Sequence, residues 1–78
     1  MILAFIMAKL ESAKARNVLE DVRELEEVSE AHLIYGAYDL IIKGNFKTPE
    51  ALSSFVVDTL RKMDGVKDTV TNVCASQE

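Results

Sequence analysis

The sequence is short of the residues that build most catalytic and metal centres. It holds one cysteine, one histidine and three glycines among 78 residues. With Cys74 alone, no intramolecular disulfide can form, and a cytosolic, reducing compartment is the expectation. No neighbour is placed to activate its thiolate, so Cys74 reads as a small packing residue of an apolar strand. One histidine, one cysteine and scattered carboxylates give none of the close ligand spacings of zinc or iron centres. No metal and no cofactor are expected. Gly36, Gly44 and Gly65 stand apart, which excludes a glycine-rich phosphate loop. Positive charge is scarce as well: nine Lys and Arg face thirteen Asp and Glu, a net charge of −4. That balance argues against a phosphate-neutralising surface, and so against direct nucleic-acid binding. Lys9, Lys14 and Arg16 form the one local basic cluster, which reads as the solvated end of a helix. Long hydrophobic runs are also missing. The stretch from Met1 to Ala8 falls far below the roughly 20 residues of a membrane span, and no basic residue precedes it. It reads as a buried strand, neither a membrane nor a targeting segment.

What is present is a globular composition, 49% hydrophobic and 28% charged. The length allows one domain, residues 1–78. A chain this small buries only about 60% of the surface its unfolded form exposes. So apolar a composition exceeds what one small core needs, and a homo-oligomer is the expected outlet.

The apolar pattern divides the chain into six elements. Ile2 to Ala8 predicts a strand with apolar residues on both faces: Ile2, Ala4 and Ile6 on one, Leu3, Phe5 and Met7 on the other. Ser12 offers an N-cap to a helix over residues 12–24, with Ala15, Val18, Leu19 and Val22 at helical spacing. Val28 to Tyr35 and Tyr38 to Phe46 predict two strands of a hairpin broken at Gly36 and Ala37. Thr48-Pro49-Glu50 starts a second helix, with Leu52, Phe55, Val56, Leu60 and Met63 inward and Asp64-Gly65 as its stop. Val66 to Cys74 gives the last strand. Strand, helix, strand, strand, helix, strand is the ferredoxin-like βαββαβ order, an α+β fold with both helices on one face of an antiparallel sheet. The uncovered face, apolar along the first strand, predicts sheet-on-sheet dimerisation.

The segment from Tyr35 to Asp39 carries the chemistry of interest. Two tyrosines bracket Gly36, and Asp39 sets a carboxylate at the start of an apolar strand. Exposed amides, a carboxylate and aromatic rims suit a zwitterionic small molecule, with Asp39 facing its ammonium group. An ordinary hairpin, with Asp39 bonding the amides of its own turn, is the plainer alternative.

Gly36-Ala37-Tyr38-Asp39-Leu40 resembles a signature of the Lrp/AsnC (feast/famine) regulators, and Met63-Asp64-Gly65-Val66-Lys67-Asp68-Thr69-Val70-Thr71 resembles their second one. The two occur in register on the predicted fold, so the resemblance covers essentially the whole chain. It is to the C-terminal effector half, the RAM domain. The resemblance implies dimers built through the sheets, rings of dimers such as octamers, and an amino-acid effector bound between dimers. It implies that Tyr35, Gly36, Ala37, Tyr38 and Asp39 line the effector site, completed by Thr69, Val70 and Thr71 from a neighbouring subunit. Nothing ahead of Ile2 could form the helix-turn-helix of such regulators. The expectation is therefore a stand-alone module of transcription regulation that acts through mixed assembly with full-length Lrp/AsnC relatives or through ligand buffering, with no catalytic residue. A dimeric α+β-barrel enzyme using His32, Asp39 or Tyr38, and a purely structural dimerisation subunit, are the rival readings.

Overall fold

The computed structural model describes residues 1–75. Strand β1 (Ile2–Leu10) leads through a 3-10 turn (Ser12–Lys14) into helix α1 (Ala15–Arg23). Strands β2 (Val28–Leu33) and β3 (Leu40–Phe46) follow. Helix α2 (Pro49–Ser54) then passes into a π-helical stretch (Phe55–Leu60) ahead of strand β4 (Val66–Val73). The four strands form one antiparallel sheet in the order β2-β3-β1-β4. This is the ferredoxin-like βαββαβ arrangement the apolar pattern predicts.

Strand β1 is central and paired on both sides. Its alternation sends Ala4, Ile6, Ala8 and Leu10 into the core. There they meet Leu40, Ile42 and Phe46 of β3, Val18, Leu19 and Val22 of α1, and Leu52, Phe55 and Leu60. The rings of Phe46 and Phe55 pack 5.1 Å apart at a tilt of 59°, a favoured aromatic geometry. Leu3, Phe5 and Met7 point to the opposite face and are only half-buried there. The division of β1 between its two faces follows the sequence reading.

The ends of the elements differ from expectation for identifiable reasons. Helix α2 begins as predicted, with the Ala51 amide donating to Thr48 Oγ1 at 3.0 Å and Pro49 in the first turn. Ser12, by contrast, is not a cap. The chain enters the 3-10 turn through Glu11, and no side chain caps either that turn or α1. The start of α1 is held from outside instead: the Glu11 amide donates to the Gly65 carbonyl at 2.8 Å, and Lys14 Nζ pairs with Asp64 at 2.8 Å. Asp64 raises the Lys14 pKa above the ordinary lysine range, by hydrogen bonding first and then by charge. Lys9 belongs to β1 rather than to a helix end. The helix does not run regularly to Met63. The Arg61 amide donates to the Val56 carbonyl, five residues back, and the helix ends. Strand β4 stops at Val73, which leaves Cys74 half-buried just beyond it. Among the described residues no helix is long and apolar enough to cross a membrane.

Gly65 is where the second helix meets the first. Its φ is +101°, and a Cβ there would lie 2.7 Å from Lys14 Cβ. Gly36, with φ +139°, faces open space. Gly65→Ala is expected to cost about 1–3 kcal/mol of unfolding free energy through backbone strain, with a steric share on top. Gly36→Ala should cost less. Urea unfolding of both variants checks the order, and equal midpoints would contradict the close approach at Gly65.

Candidate functional site

The order β2-β3-β1 brings three ends together: the close of β2, the opening of β3 and the close of β1. The predicted hairpin is wider than the sequence suggests. The ladder stops at Leu33 and resumes at Leu40, so Tyr35 and Tyr38 lie in the turn and not in the strands. The Ile34 amide donates to the Asp39 carbonyl at 2.9 Å and closes the loop. The positive φ of Gly36 lets the chain reverse outside the sheet.

Asp39 is the anchor of this turn. Its amide donates to the Ala8 carbonyl at 2.9 Å, and its Oδ2 accepts from the Leu10 amide at 2.8 Å. The carboxylate therefore completes the β1 ladder where β3 has no further residue to pair. Its partner is a strand amide 29 positions away, not an amide of its own turn. Oδ1 has no hydrogen bond among the described residues. Lys9 Nζ lies 5.9 Å from the centre of the Tyr38 ring, within range of a cation–π contact. Tyr35 is fully exposed at the rim.

Between this turn and the start of α1 opens a cleft of about 410 Å3. That volume suits a small molecule. Leu10, Ala15, Leu33 and Ile34 give it aliphatic walls, while Asp39, Arg16, Ser12 and Tyr35 supply the polar groups. Ser12, Ala15 and Arg16 were not anticipated as lining. Sequence spacing carries no signal for them, since they reach the turn only through the placement of β1 beside β3.

The other predicted site residues lie elsewhere on the chain. Thr69 and Thr71 pair with Ala8 and Ile6 and share their helix-covered face, whereas Val70 pairs with Met7 on the open face. Thr71 lines a groove of about 270 Å3 with Leu52, Val56 and Val57, and Thr69 borders a depression of about 100 Å3 beside Arg61. One chain thus brings Tyr35 and Asp39 together in the cleft; Gly36, Ala37 and Tyr38 lie in the same turn but outside its lining, and Thr69, Val70 and Thr71 are not brought to it. His32 stands on the open face with its side chain 57% exposed, and its Nε2 lies 3.2 Å from Glu30. It borders an open depression of about 300 Å3 with Phe5, Glu30, Ile41 and Lys43, not the closed pocket that the enzymatic reading requires.

A sequence model of the Lrp/AsnC ligand binding domain matches residues 3–78. An uncharacterized HTH-type transcriptional regulator of Pyrococcus horikoshii is 32% identical over 75 residues, covering 96% of this chain and 48% of that protein. The chain thus spans about half the length of the curated relatives it matches. The crystal structure of the hypothetical protein PHS023, also of Pyrococcus horikoshii, is 35% identical with a TM-score of 0.90, covering 99% of this chain and 93% of that one. The transcriptional regulator NMB0573 of Neisseria meningitidis, solved as a complex with L-Met, is 29% identical with a TM-score of 0.88, covering 97% of this chain and 51% of that one.

The geometry gives Asp39 a structural duty whatever binds beside it. Asp39→Ala should lower the unfolding free energy by about 1–3 kcal/mol, because the partly buried Leu10 amide loses a charged acceptor. Chemical denaturation without any ligand measures it, and an unchanged midpoint would contradict the anchoring role.

Proposed function

The chain belongs to the Lrp/AsnC ligand-binding domain family, which is regulatory rather than enzymatic, and we propose that it is an amino-acid effector and assembly module. The carrying observation is the cleft beside Asp39, which joins a carboxylate with an unused oxygen to aliphatic walls. A free amino acid presents a matching ammonium group. The Neisseria relative, 29% identical, is a complex with L-Met. Tyr35, Gly36, Ala37, Tyr38 and Asp39 form one wall of the site in this reading, and Thr69, Val70 and Thr71 of a neighbouring subunit close it.

Assembly supplies the mechanism. Leu3, Phe5, Met7 and Ile41 form a half-buried apolar stripe on the face that no helix covers. A second copy packed sheet to sheet would remove that stripe from water, at about 25 cal/mol per Å2 of apolar surface. Dimers then meet at their turns, where Tyr35 stands free, and close into rings such as octamers. An amino acid held between dimers shifts the equilibrium toward whichever assembly binds it better. Through mixed assembly, the module would pass that signal to full-length regulators of the family.

Calorimetric titration with each of the twenty amino acids, run beside light scattering, is the test. One or more should bind and change the mass of the assembly. Silence in both measurements for all twenty would sink the effector reading. Phe5→Glu, which sets a charge into the stripe, should yield a folded monomer by size-exclusion chromatography with light scattering. An unchanged mass would move the interface elsewhere.

A further inference from the structure

The cleft contains a second charged group that the two sequence signatures do not include. Arg16, in the first turn of α1, lines the cleft wall together with Asp39. It is exposed and makes no ion pair or hydrogen bond among the described residues. The fold does not employ its guanidinium. Asp39, too, keeps one carboxylate oxygen unused once Oδ2 has bound Leu10. Arg16 and Asp39 are the charged residues of the lining, one of each sign, so the cleft has the charge pattern of a zwitterion. The same lining includes the aliphatic residues Leu10, Ala15, Leu33 and Ile34.

We infer that Arg16 is the carboxylate anchor of the effector site and that the cleft selects α-amino acids with aliphatic or thioether side chains. This rests on the amino-acid reading of the same cleft. The guanidinium grips the carboxylate, through two parallel N–H···O bonds where the approach allows. The free oxygen of Asp39 accepts from the ammonium group, and the side chain lies against Leu10, Leu33 and Ile34. A second charge on the ligand would meet those walls without a partner, so acidic and basic amino acids are disfavoured.

Titration calorimetry separates the contacts. L-Leucine is expected to bind more tightly than L-aspartate or L-lysine. L-Leucinamide lacks the carboxylate charge and 4-methylpentanoate lacks the ammonium group, and each should bind at least roughly tenfold more weakly than L-leucine. Arg16→Gln should weaken L-leucine by roughly ten- to hundredfold and leave L-leucinamide unchanged, with Arg16→Lys recovering part of the loss. Because Arg16 is exposed and unpaired, its variants should melt with the parent, and the analogue series on the parent protein carries the same test without substitution. If amino acids bind and Arg16→Gln binds L-leucine as tightly as the parent, or if L-leucinamide matches L-leucine, the anchor is overturned and the effector reading stands. If none of the twenty binds, both fall.

Discussion

A strand amide with no neighbouring strand to accept from it must find an acceptor or lose hydrogen-bonding energy. Leu10 is in that position on its β3 side, since Ala8 already pairs with Leu40 and β3 begins two residues too late to reach Leu10. Asp39 resolves the problem by extending its carboxylate from the turn to the Leu10 amide. That bond, with the one between the Asp39 amide and Ala8, fixes where the hairpin leaves the sheet. The exit point of the hairpin in turn sets the height of Tyr35 above the cleft and the distance between turn and helix. A carboxylate serving the backbone therefore defines the outline of the candidate binding site.

The opposite corner is organised by contact between turns. Glu11 and Lys14, on the way into α1, bond Gly65 and Asp64, on the way into β4. The first helix thus starts where the second one ends, and neither start of α1 is capped by its own side chains. Both arrangements use residues far apart in sequence to satisfy groups that local structure leaves open. They also fix the backbone leading into Arg16, because the 3-10 turn just ahead of it is pinned at Glu11 and Lys14.

The division of legible from illegible features follows the same line. Periods of two and 3.6 depend on neighbours in sequence, so the element order, the faces of β1 and the Thr48-Pro49 helix start could be read directly. Ser12 had a capping side chain and is not used as one, since the Gly65 carbonyl and Asp64 already hold that end of the helix. Composition places Tyr35 and Tyr38 in strands, but the ladder cannot follow a backbone that turns at Gly36. Arg16 read as a solvated helix charge, and exposed it is. Its place in the cleft wall depends on β1 lying between β3 and β4, which no local pattern encodes. Thr69, Val70 and Thr71 point to two faces of an edge strand, and within one chain none of them lines the cleft beside Asp39.

The central position of β1 has a consequence for how the molecule is made. Both of its partners lie far along the chain: Ile6 pairs with Ile42 on one side and Thr71 on the other. Closing such distant pairs is slow, and β1 is synthesised before either partner. At about 5–20 residues per second, β4 follows some seconds later. For that interval a proline-free apolar segment with two unsatisfied edges is exposed, the composition from which cross-β aggregates form. The strand that holds the finished sheet together is thus the one that waits longest for its partners.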